Sequence, residues 1–193
     1  VKLLGVAVRT AKGIEQRVHP TMVPKTSSIA QVMGVTNAVT IDGDGIPPIT
    51  LVGPGAGGAA TASAVVADIA DVACGIRALP FGRPASRLLA TKKAPMERHE
   101  GGYYIRLMAR DFAGTAATIA TRLAEQKISI ESIVQRHPNG KLDMTETGKP
   151  AEPVPVLLIT YATSEDAVHR ALHAVRADKV ITGRPQVIRI EKN

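Results

Sequence analysis

The sequence is poor in the residues that mark several common classes of protein. Its 193 residues include one cysteine, Cys74, and no tryptophan. A single cysteine excludes an intramolecular disulfide and favours a reducing compartment, in which Cys74 is expected to be a small buried hydrophobic residue. Aromatic residues make up 3% of the chain. Its cores must therefore pack valine, isoleucine, leucine and alanine.

Long apolar runs and clusters of positive charge are absent as well. No stretch reaches the roughly 18 apolar residues of a transmembrane helix, and the start lacks the basic and then apolar order of a secretory signal. The formal net charge of +7 is spread along the chain, with no basic run beyond Lys92-Lys93. We therefore expect a cytoplasmic protein with solvated surface charge, and neither a membrane nor a nucleic acid as partner. Because Val1 opens directly in an apolar run, we also expect a longer parent protein.

Residues 1–75 have the pattern of a mostly antiparallel sheet followed by a helix. Runs of aliphatic and β-branched residues, separated by turns rich in glycine and aspartate, predict the strands. Ser27 is placed to cap a short helix, and a stretch of alanine, valine, serine and isoleucine predicts a closely packed one. The predicted elements are strand 2–9, strand 14–23, a short helix from Ser27 to Val32, strand 35–41, strand 49–52 and helix 59–73.

The remaining residues predict a linker and a second domain. Residues 76–100 are rich in proline, glycine and basic residues with little periodicity, which is typical of a connection between domains. Hydrophobic periodicity then predicts a βαββαβ order, with Thr163 and Asp166 as a capping box for the second helix. The predicted elements are strand 103–110, a helix with the apolar face Ala116, Ile119, Ala120 and Leu123, strand 128–135, a polar loop 137–153, strand 154–162, a helix with the apolar face Ala167, Val168, Ala171, Leu172 and Val175, and strand 187–190.

These patterns define an α+β fold class. A partial antiparallel-sheet α/β domain in residues 1–75 precedes the linker 76–100 and a βαββαβ ferredoxin-like domain in 101–193. Both helices of the second domain should lie on one face of its sheet. Since the third strand is apolar on both sides, a second copy or another domain is expected to cover the other face. This domain has the character of a ligand-sensing module and not of a site of chemistry.

The glycine-rich segment before helix 59–73 has two interpretations. Gly53, Gly55 and Gly58 satisfy the spacing G-x-G-x-x-G between a strand and a helix. A Rossmann unit also needs a second parallel strand and an acidic residue about twenty positions further on, and neither follows here. The segment is either a turn that lets a small-residue helix pack tightly, or a set of backbone N–H groups that bind a phosphate or the polar edge of a cofactor.

Several motifs occur together in an order that resembles the closing portion of homoserine dehydrogenase. They are Leu3-Leu4-Gly5-Val6-Ala7, Arg17-Val18-His19-Pro20-Thr21, Val35-Thr36-Asn37-Ala38-Val39, Leu51-Val52-Gly53-Pro54-Gly55-Ala56-Gly57 and Thr61-Ala62-Ser63-Ala64-Val65-Val66. The second domain, with Asp111-Phe112-Ala113-Gly114 and Ile128-Ser129-Ile130-Glu131-Ser132, resembles the ACT domain that follows the catalytic part in many bacterial members. His19 lies in one of these motifs, but a lone histidine on a strand favours a structural role.

The resemblance implies NAD(P)-dependent interconversion of L-homoserine and L-aspartate 4-semialdehyde, on the route to threonine and methionine. The family's Rossmann domain and its catalytic Asp and Lys would lie upstream of Val1. We therefore assign no catalytic residue here and expect this chain alone to be inactive, with no cofactor bound tightly. The positions that would reach the nicotinamide end of NAD(P) in the intact enzyme are Gly53, Gly55, Ala56, Gly57 and Thr61.

For the second domain the resemblance implies a small amino acid as feedback effector, threonine above all, and a homo-oligomer formed through paired ACT domains and the catalytic-domain sheet. The expected effector-binding residues are Asp111, Phe112, Ala113, Gly114 and Thr115. Asp111 would hold either the ligand's amine or its own turn. Ala113 stands where the family usually has proline, and this departure bears on ligand affinity more than on fold.

Three other functions are alternatives that the sequence pattern brings up. A stand-alone ACT-type regulatory protein that binds a small molecule is the alternative to an enzyme portion. RNA recognition motifs share the βαββαβ order but stack bases on sheet aromatics, and their aromatic motif is missing here. His169 and His173 stand four residues apart on a helix, but no third ligand is close in sequence, so we expect no metal.

Overall fold

The computed structural model describes residues 1–79, 81–94, 100–135 and 153–191. Every predicted strand and helix is found among them, and the predicted loop 137–153 lies, except for Pro153, outside the described residues. In chain order the elements are β1 (Lys2–Thr10), β2 (Gly13–Met22), a 3-10 helix (Ser28–Gln31), β3 (Thr36–Gly43), β4 (Ile46–Pro54), α1 (Gly58–Ala73), a second 3-10 helix (Ala85–Arg87), β5 (Glu100–Ala109), α2 (Thr115–Glu125), β6 (Ile130–Gln135), β7 (Val154–Thr160), β8 (Thr163–Ser164), α3 (Glu165–Ala177) and β9 (Ile181–Ile190).

The chain divides into two compact units, which we call the large unit and the small unit. The large unit comprises residues 1–23 and 93–193, and the small unit comprises residues 24–92. The hairpin β1–β2 therefore belongs to the same compact unit as residues 93–193. The division predicted from the sequence, with a linker at 76–100, stays a prediction.

One mixed sheet organises the large unit. Its strand order is β1-β2-β9-β5-β7-β6, and β8 pairs with the start of β5. The four strands β9, β5, β7 and β6 are antiparallel neighbours, which is the ferredoxin-like arrangement of a βαββαβ chain. The predicted fold class is confirmed. The hairpin then extends this sheet at β9 through a parallel pairing with β2.

The core of the large unit lies between the sheet and helices α2 and α3. β7 alternates as predicted, with Val156 and Leu158 fully buried and Leu157 and Ile159 on the other, half-buried face. The buried cluster consists of Tyr103, Ile105, Leu107, Ala109, Ile119, Leu123, Ile128, Val156, Leu158, Ala167, Val168, Ala171, Leu172, Val175, Val180 and Ile181. That the half-buried face needs a second copy or another domain to cover it stays a prediction.

Two helix starts differ from the predicted ones. The N-cap of α3 is Ser164, whose hydroxyl accepts a hydrogen bond from Ala167 N at 3.3 Å, so the predicted capping box of Thr163 and Asp166 is wrong by one residue. Helix α3 begins at Glu165, so Ser164 is the residue that directly precedes it. On α2 the buried face begins at Thr115, and Ala116 is exposed.

The capping role predicted for Ser27 is also wrong. Its hydroxyl donates to Pro24 O at 2.9 Å instead of accepting from the 3-10 helix that follows. The hydroxyl thus closes the turn that leads into this helix, and a helix of four residues has few N–H groups for a cap to satisfy.

The small unit contains the antiparallel hairpin β3–β4, with a bulge between Ile41 and Gly43, helix α1 and the two 3-10 helices. None of the residues of α1 is buried. Cys74, which follows this helix, is exposed, so the expectation that it is a buried hydrophobic residue is wrong. The small side chains that predicted close packing of α1 are therefore not buried among the described residues.

Two features are absent from the residues that the structure describes. No helix there combines the length and apolar character that crossing a membrane requires. No group of three or more histidine, cysteine, aspartate or glutamate side chains is arranged there to hold a metal ion.

Candidate functional site

The glycine-rich turn of the small unit joins β4 to the N-terminus of α1. Gly57 is the N-cap of the helix, with φ 110° and ψ 152°, a backbone conformation that is essentially restricted to glycine. No side chain caps the helix and no acidic residue lies in its first turn. The positive end of the helix dipole and its first N–H groups are therefore presented to solvent, which suits an anion or an electron-rich group.

The five residues predicted to contact a cofactor are brought together at this turn. Gly53 lies in β4, and Gly55 and Ala56 lead to Gly57. The hydroxyl of Thr61 donates to Gly57 O at 3.1 Å, one helical turn later. A Cβ atom added at Gly53 or Gly57 would meet no described atom within 4 Å. The backbone of the turn is thus open to close approach.

Gly55 has a different reason to be glycine. A Cβ atom there would lie 1.4 Å from Asn37 Nδ2 and 2.9 Å from Asn37 Cβ, because the side chain of Asn37 occupies that space. Asn37 is the partner of Gly53 in the β3–β4 register. Sequence reasoning included Asn37 in a family motif but gave it no role. Only the register of two strands shows that it packs under the turn.

The turn between β5 and α2 contains the residues predicted to bind an effector. Gly114 is the N-cap of α2 in the left-handed conformation, with φ 94°. Thr115 is buried and its hydroxyl donates to Arg110 O at 2.9 Å, which ties the two ends of the turn together. Phe112 is half-exposed, at 53%, and Ala113 is exposed. The turn therefore presents Phe112 and Ala113 outward and uses Thr115 for its own structure.

Asp111 contacts a residue that sequence reasoning did not assign. Gln135 Nε2, at the end of β6, donates to Asp111 Oδ1 at 3.1 Å. This bond joins the start of the turn to a strand two places away in the sheet. Because Gln135 lies 24 residues further along the chain, no local pattern could associate it with Asp111. A contact of Asp111 with a ligand's amine stays a prediction.

Comparison with known proteins shows which proteins this chain is similar to. The family model for homoserine dehydrogenase matches residues 1–70. Homoserine dehydrogenases from Pseudomonas aeruginosa and Neisseria gonorrhoeae are 37% and 38% identical over 100% and 99% of this chain, which spans 44% and 43% of their lengths. A crystal structure of a homoserine dehydrogenase from Thiobacillus denitrificans matches with a TM-score of 0.82 and 37% identity, over 99% of this chain and 42% of that one.

The fold and the two turns define the class of protein. It is an α+β chain in which a glycine-rich strand-to-helix turn precedes a ferredoxin-like βαββαβ domain. The chain is similar to homoserine dehydrogenases, and the predicted resemblance to the C-terminal portion of these enzymes is confirmed. It spans less than half the length of the relatives that it matches.

Proposed function

We propose that this chain is the closing part of a cytoplasmic homoserine dehydrogenase, an enzyme of threonine and methionine biosynthesis that interconverts L-homoserine and L-aspartate 4-semialdehyde. The observation that carries the proposal is the match along essentially the whole chain to relatives of that name. The nicotinamide cofactor supplies the hydride in this reaction. The role of this chain is to complete the site around the cofactor and to carry the regulatory domain.

The glycine-rich turn is the segment that we assign to the nicotinamide end of NAD(P). Its support is geometric: Gly57 exposes the N-terminus of α1, and the backbone at Gly53 and Gly57 is open. N–H groups there would donate to the carboxamide oxygen and orient the ring, while Thr61 keeps the first helical turn closed onto Gly57. Asn37 and Gly55 hold the turn in place by their close packing.

The same proposal makes this chain inactive by itself. No residue is assigned to proton transfer, and the family's Rossmann domain is not among the elements described. A mixture of the chain with L-aspartate 4-semialdehyde and NADH or NADPH is therefore expected to show no oxidation of the nucleotide. Turnover at an enzymatic rate would contradict the assignment of the catalytic groups to another part of the parent protein.

A fusion tests the role of the turn. The N-terminal part of the Pseudomonas aeruginosa relative is joined to this chain, and kcat/KM is measured for the semialdehyde. We expect activity in the fusion, a large loss in Gly57→Ala, and little change in the matched Gly58→Ala, whose position is already helical. Equal activity in the three proteins would argue against a role for the turn in binding the cofactor.

We further propose that the βαββαβ domain is an ACT domain that binds a small amino acid, with threonine as feedback effector. Its support is the turn 111–115, in which Gly114 begins α2 without an acidic residue in the first turn, so the helix start favours a carboxylate. Asp111 lies three residues before Gly114, and its carboxylate, which accepts from Gln135, would also accept from the ligand's ammonium group. Pairing of two such domains through the half-buried sheet face would complete the site.

Calorimetry with threonine tests the effector. Binding is expected in the unaltered chain and in Asp68→Asn, an exposed aspartate of α1, and is expected to be lost in Asp111→Asn. The molar mass in solution, from light scattering, should be that of a dimer or a larger assembly. Binding that is equally strong in Asp111→Asn would place the effector elsewhere, and binding of alanine or serine in preference to threonine would change its identity.

A further inference from the structure

A network of buried charges lies outside both turns, where the hairpin β1–β2 meets the ferredoxin-like strands. Arg17 of β2 has a side chain that is 3% exposed. Its Nη1 atom donates to Glu15 of the same strand, and its Nη2 atom donates to Glu191, the residue after β9. One guanidinium therefore holds two carboxylates, one on the hairpin and one on the end of the ferredoxin-like domain. Arginine suits this role because its planar fork offers several donors at fixed angles.

A second ion pair joins β9 to helix α3. Arg189 of β9 donates to Glu165, the first residue of α3, and both side chains are largely buried. The same arginine is the register partner of Thr21 on β2 and of Tyr103 on β5. Tyr103 is 1% exposed, and its burial and the neighbouring Glu165 raise its pKa to about 12. Arg189 thus lies at the junction of the hairpin, the sheet and the helix.

His19 belongs to the same face of β2. Its Nδ1 atom lies 2.8 Å from Thr21 Oγ1, and burial together with the positive charge of Arg189 lowers its pKa. Burial would raise the pKa of Glu165, but the hydrogen bond and charge of Arg189 outweigh it and lower that pKa. The charge of Arg189 thus acts on His19 of β2, on Tyr103 of β5 and on Glu165 of α3.

Backbone pairing alone holds the hairpin to the sheet only near its end. β1 and β2 pair along their whole length, whereas β2 and β9 pair only through Thr21 and Met22. Further backbone bonds run from Glu191 N to Met22 O at 3.0 Å and, at the start of β2, from Ala94 N to Ile14 O at 2.9 Å. Arg17 lies four residues before Thr21 on the same strand. Its bond to Glu191 therefore extends the attachment beyond the point where the strands pair.

We propose that the network of Glu15, Arg17, Glu191, Arg189 and Glu165, which we call the hairpin clamp, locks β1–β2 onto the ferredoxin-like sheet and couples an effector bound there to the dehydrogenase part of the chain. The hairpin lies within residues 1–70, which match the dehydrogenase family model, whereas Arg189, Glu191 and Glu165 belong to the domain proposed to sense the effector. The coupling, though not the locking, rests on the function proposed above.

The path from the effector turn to the clamp follows rigid elements. β5 ends at Ala109, directly before the turn 111–115, and its other end carries Tyr103 beside Arg189. A shift of β5 on ligand binding would be passed to β9, its neighbour over most of its length. Because a buried arginine bonded to two carboxylates has few alternative geometries, the hairpin would move with β9 and not slide past it.

Hydrogen exchange measured by mass spectrometry on the 193-residue chain tests the locking without any ligand. Arg17→Gln removes the charge that both carboxylates bind, so amides of β1 and β2 should exchange on the order of 100-fold faster, while those of β7 and α2 keep their rates. Glu191→Gln, a milder change, should give a smaller increase in the same peptides. Arg122→Gln is the matched control, because it removes an ion pair with Asp178 at the end of the helices. Hairpin exchange that is unchanged in Arg17→Gln, or raised equally in Arg122→Gln, would overturn the clamp.

The same measurement with saturating threonine tests the coupling. In the unaltered chain we expect slower exchange in the turn 111–115 and α2 and a change in the hairpin as well. Arg17→Gln should keep the first response and lose the second. Protection of α2 with no change in the hairpin of the unaltered chain would overturn the coupling. No change anywhere would instead overturn threonine as the ligand, and the ligand-free comparison would still decide whether the clamp exists.

Discussion

The large and small units of this chain differ in how far they bury their hydrophobic side chains. Among the described residues, every buried hydrophobic side chain lies in the large unit, between Tyr103 and Ile181. In the small unit Leu51 and Val72 are 63% and 75% exposed, and helix α1 buries nothing. The large unit thus forms a core from its own sequence. The small unit displays apolar side chains in amounts that are typical of a surface made to be covered.

Matched leucine substitutions give the largest contrast between the units. Leu158 is fully buried in the large unit, so Leu158→Ala should lower the free energy of unfolding by about 3 kcal/mol through lost burial and the cavity left behind. Leu51→Ala should change it by less than about 0.5 kcal/mol, because its side chain is already in solvent. Urea unfolding followed by circular dichroism measures both. Equal costs would show that the small unit has a core after all.

Matched glycine substitutions should have an intermediate effect, confined to the small unit. Gly57→Ala forces a side chain into a backbone conformation with φ 110°, which costs on the order of 1 to 3 kcal/mol. Gly58→Ala lies inside the helix and should be neutral or slightly stabilising. The helical signal of the two variants on heating compares them. If Gly57→Ala melts like the unaltered chain, the turn is not held in this conformation in solution.

Acidification from about pH 7.5 to 5.5 should lower the stability of the large unit and not of the small unit. This is the smallest of the expected effects. Burial, and then the charge of Arg189, lower the pKa of His19 in the folded chain, so the unfolded chain binds the proton more readily. The stability that neutral His19 contributes is therefore present above about pH 6.5 and is lost as the pH falls below it. His19→Gln should show a smaller drop in Tm between about pH 7.5 and 5.5 than the unaltered chain.

The small unit supplies the internal control for that measurement, because the sequence has no histidine between residues 24 and 92. Hydrogen exchange of β3, β4 and α1, corrected for the intrinsic effect of pH, should not respond over this range. A drop in Tm that is equal in His19→Gln and the unaltered chain would instead assign the acid sensitivity to other groups of the large unit.

The two turns show how far sequence reasoning reaches toward a site. The spacing of Gly53, Gly55 and Gly58 located the first turn, and the family motif located the second at Asp111 to Gly114. The side chains that support these turns were not found, because Asn37 reaches Gly55 across a hairpin and Gln135 reaches Asp111 across a sheet. Such partners depend on strand register, and a single sequence shows no signal for them.

What the sequence determined by itself is local. Hydrophobic periodicity and turn residues specified the order of strands and helices, because side-chain spacing repeats within each element. Tertiary structure alone decided that the first hairpin joins β9 and that Arg17 binds Glu191. Each of these depends on residues far apart in the chain, whose pairing is chosen by the burial and charge that become available only when the sheet has formed.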